Sequence, residues 1–180
     1  MSEDRGDLAA FLQQCDEESF RRLYRRCAPQ MLGLASRLVT RTEAADAVQE
    51  AWLRVVRDLE RFEGRSRFET WVLGYVVRCC REVWRRRGLD AARSASLEPA
   101  IAELVTASPT TGLSRERRLD LEHALRALAP GYRSVLLLHD LYGLTHGEIA
   151  EMLEISAGTA KSQLSRARAS MRRALERAPQ

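Results

Sequence analysis

Between residues 89 and 114 the chain drops the helical periodicity it carries elsewhere. Ten of these 26 residues are Ser, Thr, Pro or Gly: Ser94, Ser96, Pro99, Thr106, Ser108, Pro109, Thr110, Thr111, Gly112 and Ser114. A patternless stretch longer than about 15 residues is uncommon inside a compact domain, so it reads as a linker. The chain therefore divides into a first domain at 8–88, a linker at 89–114 and a second domain at 115–178. With 45% of its 180 residues hydrophobic, each part has enough apolar material for a small core.

Both parts read as helical. Leu23, Cys27, Met31, Leu34 and Leu38 recur at three- and four-residue spacing, as do Ala47, Val48, Ala51, Val55 and Leu59. Strand signals are nearly absent, and the fold class expected is all-α. Pro29, Gly64, Gly88 and Gly143 are the expected punctuation at helix ends. No apolar run approaches the roughly 18 residues needed to cross a bilayer. The first residues carry neither a basic n-region nor an apolar h-region, so a soluble, cytoplasmic protein without membrane insertion is expected. Cys15, Cys27, Cys79 and Cys80 fit no zinc spacing and are expected to be free thiols, a redox switch being the other reading.

The second domain carries the sharpest local signals. Thr145-His146-Gly147-Glu148 fits a capping box, in which Thr145 and Glu148 satisfy each other's backbone amides. The preceding helix, expected over 132–142, is opened by Pro130 and Gly131 and closed by Gly143. The capped helix places Ile149, Ala150 and Leu153 on one face. After a tight turn, Ser156 offers an N-cap to a second helix with a buried stripe of Ala160, Leu164, Ala167, Met171 and Leu175. Its other face presents Thr159, Ser162, Gln163, Arg166, Arg168, Arg172 and Arg173. Two helices joined this way, the second one basic, suit a helix-turn-helix for the major groove of duplex DNA, an αα-hairpin of a repeat or bundle being the other reading. Early residues of the second helix then read base edges and later arginines hold phosphates.

Charge is unevenly distributed, although the net is only +4. Residues 65–88 carry seven Arg against Glu69 and Glu82, and residues 161–180 carry six basic residues against Glu176. Two separate basic blocks suggest two contacts with a polyanion. The first is interleaved with aromatics: Phe62, Phe68, Trp71, Tyr75 and Trp84 are five of the eleven in the chain. Unstacked bases lie on aromatic faces while arginines follow the backbone, so this block suits single-stranded nucleic acid. The same spacing also suits core packing, and both readings stay open. Asp46, Gln49, Glu50 and Arg54 share the outer face of the helix expected over 45–59, which could dock a partner.

At these residues the sequence resembles the ECF (extracytoplasmic function) group of sigma-70-class sigma factors. FRRLYRRCAPQMLGLASRL, AADAVQEAWLRVVRDLERFEG and RSRFETWVLGYVVRCCREVWRRR are similar to the family's region 2. LRALAPGYRSVLLLHDLYGLTHGEIAEMLEISAGTAKSQLSRARASMRRAL is similar to its region 4. The resemblance implies that Asp46, Gln49, Glu50, Leu53 and Arg54 bind core RNA polymerase at the β′ clamp helices, with the β subunit a further contact. It implies that Phe62, Arg65, Ser66, Arg67, Phe68, Trp71 and Arg78 melt the −10 promoter element and hold its single strand. Thr159, Lys161, Ser162, Gln163, Arg166 and Arg168 are implied to read the −35 duplex. An anti-sigma factor is the implied regulator.

Some positions depart from the family pattern. Val77-Arg78 stands where Arg-Asn is usual, and Glu82 stands for Asp. Glu154 takes the place of the turn glycine, which costs on the order of 1 kcal/mol if the backbone there is left-handed. Gln163 replaces a frequent arginine, and Gln pairs better with adenine than with guanine. Two other function classes compete with this reading. A free-standing helix-turn-helix regulator has no use for the aromatic–arginine block. An enzyme is disfavoured because His123, His139 and His146 form no ligand pattern and no phosphate loop or nucleophile motif occurs, so neither cofactor nor metal is expected.

Overall fold

A computed structural model describes residue 11, residues 17–88 and residues 115–176 of the chain. The expected domain start at 8, the linker 89–114, the last residues to 178 and Cys15 lie outside the described residues. Among those described, all regular structure is helical.

The first half is three helices. α1 spans Glu17–Leu38, and its periodic residues Leu23, Cys27, Met31, Leu34 and Leu38 are at most 1% exposed. Pro29 does not end a helix, contrary to expectation, but lies inside α1. Both Arg25 and Pro29 are exposed, so the Arg25 carbonyl that loses its intrahelical donor faces water. α2 spans Arg41–Arg57 and begins at Thr40, whose amide (3.1 Å) and hydroxyl (2.7 Å) both donate to Glu43 Oε2. A 3-10 turn at Leu59–Arg61 and a left-handed Gly64 (φ 69°) lead toward α3, Phe68–Arg86. Trp84 Nε1 donates to the Leu38 carbonyl at 3.1 Å, tying the end of α3 to the end of α1. Cys27, Cys79 and Cys80 are buried free thiols in this bundle. Burial pushes the Cys79 thiol up to about 11 and raises Cys80 as well.

The second half contains α4 (Arg115–Arg126), α5 (Pro130–Leu136), α6 (His146–Leu153) and α7 (Ala157–Glu176). Arg133, 3% exposed, donates through Nη2 to the carbonyls of Arg126 (2.5 Å) and Leu128 (3.0 Å). It thereby satisfies carbonyls at the end of α4 that have no helical partner. Desolvation lowers its pKa to about 10, which leaves it charged at neutral pH. The expected regular helix over 132–142 instead widens into a π turn at Leu137–Leu141, closed by Tyr142 N donating to Leu137 O at 3.1 Å. The capping box forms as expected: Thr145 N and Oγ1 each donate to Glu148 Oε2 at 2.8 Å, and Glu148 N donates to Thr145 Oγ1 at 3.3 Å.

Ala160, Leu164, Ala167 and Met171 are buried as expected, whereas Leu175 is 39% exposed. It lies in the last turn of α7. α3 also packs against α6, which joins the two halves. Glu154 is the one positive-φ residue other than glycine among those described (φ 57°, ψ 46°). Its side chain is exposed, so Glu154→Gly relieves backbone strain without opening a cavity. Stability should rise by about 0.5–1 kcal/mol after the entropic cost of glycine, read as a higher urea midpoint at unchanged m.

Candidate nucleic-acid and polymerase interfaces

The N-terminus of α7 is set by Ser156, whose Oγ accepts from Thr159 N at 3.0 Å and sits 2.8 Å from Thr159 Oγ1. Ser162 Oγ donates to the Thr159 carbonyl at 3.0 Å. Thr159, Ser162, Gln163 and Arg166 therefore share one side of the helix, away from the core stripe. Arg166 Nη1 stands 3.5 Å from the Tyr132 hydroxyl, and Gln163 lies beside Gly131. Tyr132 is a neighbour that sequence reading missed, because it is 34 residues away with no shared motif.

Lys161 and Arg168 occupy the opposite flank of α7, lining an open groove of about 2110 Å³ between the two halves. Gln49 and Leu53 line the same groove from α2. Arg168 is engaged: its Nη2 and Nε donate to Asp140 at 2.5 and 3.1 Å. This hydrogen bonding holds the Asp140 carboxyl below the usual carboxylate range. His139 Nδ1 lies 3.0 Å from the same carboxylate, and its ring stacks on His146 at 4.8 Å.

In the first half, the structure separates the aromatics that spacing alone could not. Phe62 packs on Phe68 and Trp71 with centroids 5.3 Å from each, and Trp71 meets Tyr75 edge-on at 4.8 Å. Phe68 and Tyr75 are only 4% and 7% exposed. Phe68 is thus corrected from a candidate base platform to a core residue, because the first turn of α3 faces inward there. Phe62 and Trp71 remain half-buried. Arg65, Arg67 and Arg78 are exposed around them, and Ser66 is half-buried. The Arg78 guanidinium stands 5.5 Å over the Tyr75 ring. Buried Glu69 faces Arg26 Nε at 3.1 Å and Arg67 Nε at 3.7 Å, so one acidic group anchors the base of the basic loop.

On α2, Asp46, Gln49 and Glu50 are exposed, and Leu53 is 63% and Val56 44% exposed. A charged rim around bare aliphatic side chains has the make-up of a protein-docking face. Val56 belongs to it and went unnoticed in the sequence. Arg54 turns the other way. Its guanidinium grips Glu82 of α3 through two hydrogen bonds (2.6 and 2.8 Å) while Nε donates to Glu50 at 2.7 Å. These bonds raise the Arg54 pKa and hold Glu82 below the usual carboxylate range.

Among the described residues, a basic helix-turn-helix stands beside a helical bundle that displays aromatics among arginines. Comparison with known proteins gives the family. Residues 23–89 match the family profile "Sigma-70 region 2" and residues 118–171 match "Sigma-70, region 4". The "ECF RNA polymerase sigma-E factor" of Escherichia coli (strain K12) is 30% identical over 178 residues, covering 93% of each chain. Its namesake in Haemophilus influenzae is 28% identical over 169 residues, covering 87% of each. Among solved structures, the sigma factor RpoE from Bartonella quintana, in complex with the anti-sigma factor NepR, matches with a TM-score of 0.66 at 20% identity. It covers 90% of this chain and 99% of that one. CnrH, solved with the cytosolic domain of CnrY, matches at 0.65 and 21%, with 96% and 97% covered. The chain belongs to the ECF sigma factors. It joins core RNA polymerase, recognises −35 and −10 promoter elements and promotes melting and initiation.

Because the Glu82 carboxyl is lowered in the folded state, its contribution is present above the unfolded value, about 4.3, and lost as pH falls through the lower folded value. Glu82→Gln should slightly lower stability at pH 7. It should also make the loss between about pH 5 and 3 shallower than in the parent, as followed by urea midpoints across that range.

Proposed function

We propose that residues 8–88 form the unit that binds core polymerase and the −10 element, that 115–178 form the −35 reader, and that 89–114 connect them. Asp46, Gln49, Glu50 and Leu53 meet the polymerase, with Val56 extending the patch. The observation that carries this is Leu53, a large aliphatic side chain left 63% exposed among acidic neighbours. Arg54 acts behind this face by orienting Glu50 and joining α2 to α3. Reversing charge at both Asp46 and Glu50 should abolish co-purification with core polymerase while leaving helical content unchanged by circular dichroism. Retained co-purification would instead put the polymerase contact on another face of the chain.

At the −10 element, Phe62 and Trp71 offer ring faces to unstacked bases, while Arg65, Arg67 and Arg78 follow the phosphates and Ser66 adds a hydroxyl. Phe68 supports both rings from below. Trp71→Ala should reduce open-complex formation at least tenfold more than closed-complex binding, measured by permanganate reactivity against duplex affinity. Stacking worth about 1–3 kcal/mol per base sets that scale. At the −35 element, Thr159, Ser162 and Gln163 meet base edges and Arg166 a phosphate, with Lys161 and Arg168 flanking toward the backbone. Melting then draws on binding energy rather than on covalent chemistry by this chain. Gln49 and Leu53 line the same groove as Lys161 and Arg168, so one protein seated there covers polymerase- and DNA-facing residues together. That arrangement suits control by an anti-sigma factor. No helix among the described residues is long and apolar enough to cross a membrane, and we place the protein in the cytoplasm.

A further inference from the structure

Seven large hydrophobic side chains among the described residues are exposed, and five of them, Tyr24, Leu53, Leu121, Leu141 and Leu175, line the groove between the two halves. They come from α1, α2, α4, the π turn and α7, elements far apart in sequence. Scattered singly, such residues need no explanation; gathered on one surface, they mark a place where something binds. The groove is also basic: nine Arg or Lys residues line it against Glu69, Glu122 and Asp140, a net of +6. The occupant it suits is therefore aliphatic and acidic.

The chain carries such a stretch of its own. Residues 97–105, with the sequence LEPAIAELV, hold four of the six Leu, Ile and Val residues between 89 and 114, two acidic residues and no basic one. Both ends of the connection start at the groove. Trp84 Nε1 donates to the Leu38 carbonyl at 3.1 Å and Arg87 Nη2 pairs with Glu43 Oε1 at 2.5 Å. These contacts set the exit from α3 beside Leu38, Val39 and Thr40 on the groove wall. At the other end α4 starts at Arg115, and its Arg118, Leu121 and Leu125 line the same groove. Nine residues lead from 88 to 97 and ten from 105 to 115, so each arm reaches about 30 Å when extended.

We infer that this groove is a docking site for the chain's own residues 97–105, with their aliphatic side chains on the exposed leucines and Glu98 and Glu103 toward the basic wall. A tethered segment acts at an effective concentration on the order of 1 mM, so a peptide affinity of about 0.1 mM fills about nine grooves in ten. This goes beyond control by an anti-sigma factor, since such a partner has to displace part of the chain itself. It rests on the groove and not on the assignment of either half to a promoter element.

The test needs neither polymerase nor DNA. A fluorescein-labelled peptide of residues 95–107 is titrated, by anisotropy, into the full-length parent and into full-length Leu97→Ser/Ile101→Ser/Leu104→Ser. The expected result is a Kd of about 0.1 mM for the triple variant and an apparent Kd about tenfold weaker for the parent, whose groove is already filled. Adding either Leu121→Glu or Leu141→Glu, both at exposed positions, should weaken the triple variant's peptide binding severalfold with helical content unchanged by circular dichroism. Equal affinity for parent and triple variant overturns the proposal, because the groove then stands open for a separate protein. So does the absence of peptide binding to either chain up to about 1 mM, or binding that neither glutamate substitution weakens.

Discussion

The rest of the molecule depends on α3 being buried around most of its circumference. Twelve of its nineteen residues are buried, among them Val72, Val76, Val77 and Cys80 at 0% exposure. A helix so enclosed takes its orientation from several neighbours at once and has little freedom to rotate. α1 and α2 pack on it, and α6 reaches it from the second half. Its first turn carries Phe68 inward and so holds Phe62 and Trp71 at the surface, while its last turns present Glu82 to Arg54. The proposed single-strand platform and the polymerase-facing helix are therefore two edges of one packed unit.

Charge is organised around that unit by a few deliberate pairings. Arg54 joins Glu50 and Glu82, Arg26 and Arg67 flank Glu69, and Arg168 is occupied by Asp140. The arginines left exposed near Trp71 and along the outer side of α7 are those facing the proposed nucleic acid. The pair of Arg168 with Asp140 is partly exposed and contributes little stability, about 0–1 kcal/mol. The larger effect of these pairings is to decide which guanidinium groups point at a polyanion and which brace the fold.

Much of this was readable from local spacing. The Thr145–Glu148 box, the Ser156 cap and the stripe from Ala160 to Met171 are relations within one or two turns, and they form as expected. The strain at Glu154 was visible through the resemblance, which puts a glycine at that turn, and the backbone there is left-handed. Features set by distant partners were not. Phe68 and Trp71 share the same periodicity, and only the packing of α3 shows which one is enclosed. Arg54 and Glu82 are 28 residues apart with no motif between them. Pro29 reads as a stop signal in any window, yet its place on the wet side of α1 makes it tolerable.

The π turn at Leu137–Leu141 has a consequence for how this segment tolerates change. One surplus residue there advances everything before it by roughly 100° relative to an unbroken helix. That offset brings His139 over His146 and Asp140 onto Arg168, while Leu138 remains at 0% exposure. Deleting a single residue would restore ordinary winding and carry all three side chains to the wrong bearing. The segment can accept exchange of one side chain for another far more readily than any alteration in its count.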